Sequence, residues 1–165
     1  MTTPSKTASS RLKGIAPQFV VADVVRAAEH YRDALGFAIV GYFGDPPIFA
    51  MVSRDGVEIH LGKRDTGNTA PNRTVRGDGL DAYIWVEDLD ALAHELRARN
   101  ARILEGPISR NYGMRELIVE DDSGYRLAFG ESATPLQAGA APNNKMQPTR
   151  RATSVHKDSS TAPGG

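Results

Sequence analysis

The feature that most constrains this chain is an internal repeat, because a fold built from two copies of one unit must bury both copies in the same way. Val20-Val21-Ala22-Asp23-Val24 matches Trp85-Val86-Glu87-Asp88-Leu89. In each copy an apolar run ends at an aspartate, whose carboxylate can accept from the free N–H groups at a helix start. The helix predicted after Asp23 carries Val24, Ala28, Tyr31 and Leu35 at helical spacing and ends at Gly36. The helix predicted after Asp88 carries Leu89, Leu92 and Leu96 and ends at Asn100. Gly and Asn are the two residues that best tolerate the left-handed backbone just past a helix.

Three short β-type runs follow each helix. They are Phe37–Phe43, Ile48–Val52 and Val57–Leu61, then Arg102–Leu104, Glu116–Glu120 and Tyr125–Phe129. Gly44-Asp45-Pro46-Pro47, Arg54-Asp55-Gly56 and Asp121-Asp122-Ser123-Gly124 supply turns between them. The last strand of each copy opens right after a glycine, Gly56 or Gly124, lying 33 positions beyond Asp23 and 36 beyond Asp88. The pattern predicts an α+β fold of two paired βαβββ modules, over residues 14–63 and 79–131. A Thr/Asn/Gly-rich linker over 65–76 joins them. The alternative is an α+β sandwich of two unrelated halves.

Composition narrows the function classes. The chain has 165 residues and no cysteine, which removes disulfides, thiolate nucleophiles and cysteine zinc sites. No apolar run approaches the roughly 20 residues of a membrane span. The Ser/Thr/Lys-rich residues 1–13 lack the apolar core of a secretory signal and are expected to be disordered. A cytoplasmic location is the expectation. From Ser132 to Gly165 the sequence turns to Ala, Pro, Gly, Ser, Thr and Asn, a composition too poor in apolar surface to offset its ordering entropy, so a disordered tail is expected there. The formal net charge is zero, yet residues 13–131 hold 14 basic and 19 acidic side chains. A domain of that sign is no partner for nucleic acid and leans toward cationic ligands.

The segments Phe19-Val20-Val21-Ala22-Asp23, His30-Tyr31 with Leu35-Gly36-Phe37, Val86-Glu87-Asp88 and Asp121-Asp122-Ser123-Gly124-Tyr125 resemble the vicinal oxygen chelate superfamily. That superfamily holds glyoxalases, extradiol dioxygenases and bleomycin-resistance proteins, and the likeness covers residues 14–131. It implies an open eight-stranded half-barrel around a cavity, and a homodimer. In the family's metalloenzymes four side-chain positions bind the ion, and here they fall on Ala16, His60, Asp81 and Ala128. Catalytic divalent sites usually keep about three protein ligands, so His60 and Asp81 alone fall short. Gln18 and Glu58 each lie two residues from a family position, about 6–7 Å along the strand. The resemblance therefore implies no cofactor, with His60 and Asp81 as the metal fallback.

Strand alternation then separates a cavity face from a core face. Gln18 and Val20, Glu58 and His60, Asp81, Tyr83 and Trp85, and Arg126 and Ala128 fall on the cavity side. Phe19 and Val21, Val57, Ile59 and Leu61, Ala82, Ile84 and Val86, and Tyr125, Leu127 and Phe129 fall on the apolar side. Tyr112, Arg115 and Glu116 around Gly113 resemble a Tyr-Gly-x-Arg-Glu stretch of bleomycin-resistance-like members that overhangs the cavity. His30 and His94 are expected to face solvent. Structural alternatives pair His60 with Asp81, and Glu58 with Arg126. No Gly-x-Ser-x-Gly occurs to support serine hydrolysis.

The leading functional expectation is non-catalytic binding of a cationic or aromatic small molecule, as in antibiotic resistance by sequestration. Gln18, Glu58, His60, Asp81, Tyr83, Trp85, Tyr112, Arg115 and Arg126 would form the site. The alternatives are a metal-dependent lyase or dioxygenase, and a dimeric scaffold with a vestigial cavity.

Overall fold

A computed structural model describes residues 12–133. Of the tail expected over 132–165, Ser132 closes the last strand, and the residues from 134 onward lie outside the described residues, as do the first eleven. The first module contains β1 (Gln18–Val21), α1 (Val24–Asp33), β2 (Ala38–Phe43), β3 (Phe49–Arg54) and β4 (Val57–Lys63). The second contains β5 (Ala82–Trp85), α2 (Leu89–Ala98), β6 (Arg102–Ser109), β7 (Met114–Glu120) and β8 (Arg126–Ser132). A single 3-10 turn, Asn72–Thr74, lies in the linker. The strand orders β1-β4-β3-β2 and β5-β8-β7-β6 are the same order twice, so the α+β fold of paired βαβββ modules is the observed one.

The repeat holds at the level of single residues. Gln18 pairs with His60 and Val20 with Gly62, while Tyr83 pairs with Ala128 and Trp85 with Gly130. Both helices start as the sequence predicts. Asp23 accepts from the N–H groups of Val25 and Arg26, and Asp88 accepts from that of Ala91. Both also stop where predicted, with Gly36 at φ 73° and Asn100 at φ 58° in the left-handed region.

The faces segregate as alternation requires. Phe19, Val21, Ile59, Leu61, Ile84, Leu127 and Phe129 are buried toward the helices with Val24, Tyr31, Leu89 and Leu96. Glu58 and His60 are half-buried and Gln18, Tyr83 and Trp85 exposed on the opposite, open face. Ala128 departs from the expected open cavity wall. It is fully buried, with Tyr83 on β5 and Ile118 on β7 as its cross-strand neighbours. The longest strand correction is β6, which runs to Ser109 rather than Leu104 and breaks register twice. It passes Gly106-Pro107, which an edge strand tolerates because proline's missing N–H is not needed for a ladder.

The modules meet at two junctions. At the first, Phe19 of β1 stacks on Tyr125, ring centroids 4.4 Å apart and planes within 9°. The Tyr125 hydroxyl donates to Val20 O at 2.8 Å and accepts from Val20 N at 3.1 Å. Behind them the Tyr31 hydroxyl donates to buried Asp121 at 3.0 Å. At the second junction Arg54 pairs with Glu95 at 2.6 Å and donates to Leu35 O at 2.7 Å.

Candidate functional site

The polar centre of the open face lies in the second module. Glu116 sits on β7 with 3% exposure, and its neighbours on that face are set by strand register. Glu116 pairs with Gly130, and Gly130 with Trp85. Because residue 130 has no side chain, the Tyr83 ring crosses over it and its hydroxyl donates to Glu116 Oε1 at 3.0 Å. A Cβ built at 130 collides with that hydroxyl. The Tyr112 hydroxyl donates to the same oxygen at 2.8 Å, and Arg110 Nε donates to Oε2 at 2.8 Å. Arg110 also pairs with Glu105 at 2.6 Å. Burial opposes ionisation of Glu116, but the donated hydrogen bonds of Tyr112, Arg110 and Tyr83 outweigh it and hold the carboxyl below the usual range. The partner phenol pays for this: burial first, then Glu116, pushes the Tyr83 hydroxyl well above its ordinary value.

Beside this network runs a groove of about 1090 Å³ between the linker and β6–β7. Val75, Leu80, Leu104 and Ile118 supply its apolar wall, and Tyr112 and Glu116 its aromatic and polar one. Its charges balance: Arg76, Arg110 and Arg126 against Asp78, Glu105 and Glu116. Tyr112 is 63% exposed although its hydroxyl is tethered.

The residues singled out from the sequence separate into groups. Tyr83 and Trp85 are together on the open face, ring centroids 5.0 Å apart. Tyr112 joins Tyr83 through Glu116, whereas Arg115 points the other way and pairs with Asp90 of α2 and with Glu131. Successive residues of a strand face opposite sides, so a Tyr-Gly-x-Arg-Glu stretch cannot deliver both its Arg and its Glu to one cavity. Arg126 belongs to a knot of arginines with Arg73 and Arg102 around buried Glu120, and its other end donates to Gly77 O at 2.7 Å.

Neither expected structural pair forms. Asp81 accepts from the backbone N–H of Asn72 and of Arg126, each at 2.8 Å, and so fastens the linker to β8. His60 instead meets Glu58 at 2.5 Å and the edge of Phe49, ring centroids 5.3 Å apart. Gln18 flanks the pair from β1 as the cross-strand partner of His60. His30 differs from its expected exposure: its Nε2 is buried without a hydrogen-bond partner, and burial lowers its pKa. His94 is exposed.

The four positions at which the family's metalloenzymes bind an ion do not fit one here. Ala16 and Ala128 have no donor atom, and both oxygens of Asp81 are taken by backbone N–H groups. Among the described residues no three His, Cys, Asp or Glu side chains gather at one point.

Glu105, Arg110 and Ile118 as groove residues were not singled out from the sequence, and Glu116 was named within the Tyr-Gly-x-Arg-Glu stretch but not among the nine candidates. One signal for them existed. Glu116 and Ile118 are polar and apolar at alternate positions of β7, next to the core residues Leu117 and Val119.

The model of the Glyoxalase/Bleomycin resistance protein/Dioxygenase superfamily matches residues 15–129 of this chain. A catechol-2,3-dioxygenase of Bacillus subtilis (strain 168) is 37% identical over 83 residues, which cover 47% of this chain and 28% of that enzyme. Among solved structures, a bleomycin-binding protein from bleomycin-producing Streptomyces verticillus, complexed with copper(II)-bleomycin, matches with TM-score 0.53 and 25% identity, over 73% of this chain and 97% of its own. An antibiotic binding protein from Streptomyces sp. CB03234 matches with TM-score 0.54 and 19% identity, over 74% and 99%. At that identity the second likeness concerns the fold.

Proposed function

This chain belongs to the glyoxalase/bleomycin resistance protein/dioxygenase superfamily, and on that premise we propose that it binds a planar aromatic small molecule on the open face of its second module, without chemical change. One observation carries the reading: the Tyr83 and Tyr112 hydroxyls are both anchored on the single buried carboxylate of Glu116. Rings fixed at their tips lose little freedom when a ligand stacks on them, and that lowers the entropic cost of binding. The neighbouring groove offers apolar walls of ligand-binding size. Its balanced charges favour the aromatic part of such a ligand over its cationic part. The solved bleomycin-binding protein from Streptomyces verticillus that this chain resembles supports a sequestering role.

Isothermal titration with bleomycin and with a panel of flat aromatic antibiotics tests the reading. Saturable binding is expected for at least one compound. Tyr112→Leu removes one stacking contact of about 1–2 kcal/mol and should weaken that binding roughly five- to thirtyfold; it also takes one donor from Glu116, so the two proteins are compared at a temperature where melting shows both folded. A panel without saturable binding, or a folded Tyr112→Leu protein that binds as the wild type does, sinks it.

A further inference from the structure

The two junctions between modules are built from equivalent positions and are filled differently. Register aligns β1 with β5 and β4 with β8, so Phe19 corresponds to Ile84, Val20 to Trp85, Val57 to Tyr125 and Ala27 to Leu92. At the first junction the Tyr125 ring fills the space between modules, stacked on Phe19 with its hydroxyl laid across the open edge of β1 at Val20. At the second, the residues in those places are Val57 and Ile84, both far smaller than the aromatic pair. A cleft of about 570 Å³ remains there, floored by Phe37, Val57, Ile84, Leu92 and Phe129. The edge of β5 at Trp85 opens onto this cleft, and among the described residues no side chain is hydrogen-bonded across it as Tyr125 is across Val20.

The rim of the cleft is acidic. Asp55, Glu87, Asp88 and Glu95 line it against Arg54 alone. Arg54 is held by Glu95 at 2.6 Å and also meets Asp55 at a longer 3.5 Å, and the Asp88 carboxylate caps α2. Asp55 and Glu87 are exposed at the mouth.

We propose that this inter-module cleft is a second ligand site, separate from the open-face groove, for a phenol carrying a positively charged arm. The protein itself supplies the template: the equivalent space is occupied by its own phenol. A ligand ring would lie on Ile84 and Val57, with its hydroxyl against the backbone N–H and C=O of Trp85. Its cationic arm would reach Asp55 and Glu87 at the mouth. The cleft and groove share no lining residue, so this site stands or falls independently of the open-face reading.

Occupancy of the cleft is read by isothermal titration, because the sole tryptophan, Trp85, carries its indole on the open face beside Tyr83 and only its backbone borders the cleft. Tyramine, p-cresol and 4-hydroxyphenylacetate share a phenol and differ in charge. Titrated into the full chain, they should give saturable heats, with affinity falling in the order tyramine, p-cresol, 4-hydroxyphenylacetate. Tyramine should bind at least roughly fivefold tighter than the anion, as expected for charges interacting near a surface. Val57→Tyr fills the cleft from within and should abolish the tyramine response. Tyr112→Leu, in the groove, should leave it unchanged. The double variant Asp55→Asn, Glu87→Gln changes only exposed groups and should shrink the preference for tyramine over p-cresol at least threefold. The proposal is overturned by no saturable response to any of the three, by a folded Val57→Tyr protein that responds as before, or by a response lost in Tyr112→Leu. Should Val57→Tyr not fold, the double variant decides, and an unchanged preference for tyramine overturns the proposal.

Discussion

The two modules share strand order, helix caps and the register of β1 on β4 and of β5 on β8, yet their open faces are unlike. In the first module the face holds Glu58, His60 and Phe49 in a loose group, with both titratable side chains part exposed. In the second, one buried carboxylate gathers two phenols and a guanidinium. The backbone does not cause this difference. It arises from what crosses the matched glycines. Gly62 has the Gln18 amide near it, whereas Gly130 has the Tyr83 ring passing directly over it. A duplicated unit thus keeps its core code and diverges on the face that folding leaves free.

The sharpest way to break that contrast is to place one methyl group at each matched glycine. Gly130→Ala must expel the Tyr83 hydroxyl from Glu116, and should cost about 3 kcal/mol in denaturant unfolding, as overpacking of a tight site does. Gly62→Ala meets the flexible end of Gln18, 3.0 Å away, and should cost under about 0.5 kcal/mol. Equal costs at the two glycines would show that the faces are not different in kind.

The next contrast concerns the carboxylates. Glu116→Gln removes a buried charge that three donors hold, and should cost about 2 kcal/mol in the same measurement. Glu58→Gln alters a part-exposed pair and should stay within about 0.5 kcal/mol. Two similar values would remove Glu116 from the centre of the site.

The smallest effect separates the two junctions by pH. Desolvation raises the Asp121 carboxyl to about 6, against hydrogen bonds from Tyr125, Tyr31 and Ser123 that pull it down. A carboxyl raised on folding is protonated more readily in the native state than in the unfolded chain. Its contribution is therefore fully present below the unfolded value of 3.8 and is lost as pH rises through about 6. Lowering the pH from 7 to 5 should add about 1 kcal/mol of stability through this group. Asp121→Asn should remove that increment, read as the difference between the two proteins' pH profiles. Profiles that run parallel would mean Asp121 titrates normally in the folded protein. At the other junction Arg54 and Arg99 flank Glu95 and, despite burial, hold its carboxyl below the usual range. The two junctions thus respond to acid in opposite directions.

The sequence made the architecture legible because the relevant signals are local. Asp23 and Asp88 read as caps, Gly36 and Asn100 as stops, and alternation along β1, β4, β5 and β8 separated buried from exposed positions. The site was less legible because it depends on side chains meeting across strands. Tyr83 reaches Glu116 through a row of the sheet defined by Gly130, and no spacing along the chain encodes that diagonal. Asp81 read as a ligand because its strand face was right, but its partners are backbone N–H groups, which leave no mark in a sequence. Arg115 read as a cavity residue from its neighbours in a motif, while strand parity alone already placed it opposite Glu116.

The Tyr125 hydroxyl has a consequence for how the molecule behaves among its own copies. An edge strand presents unpaired N–H and C=O groups and so offers a template to any other extended chain. By accepting from Val20 N and donating to Val20 O, one phenol occupies both groups at the middle of the β1 edge. An incoming strand would have to displace the ring from its stack on Phe19 before it could pair there. The clamp is thus a guard against edge-to-edge aggregation, built from a core side chain rather than from the lysines and prolines with which exposed sheet edges are commonly protected.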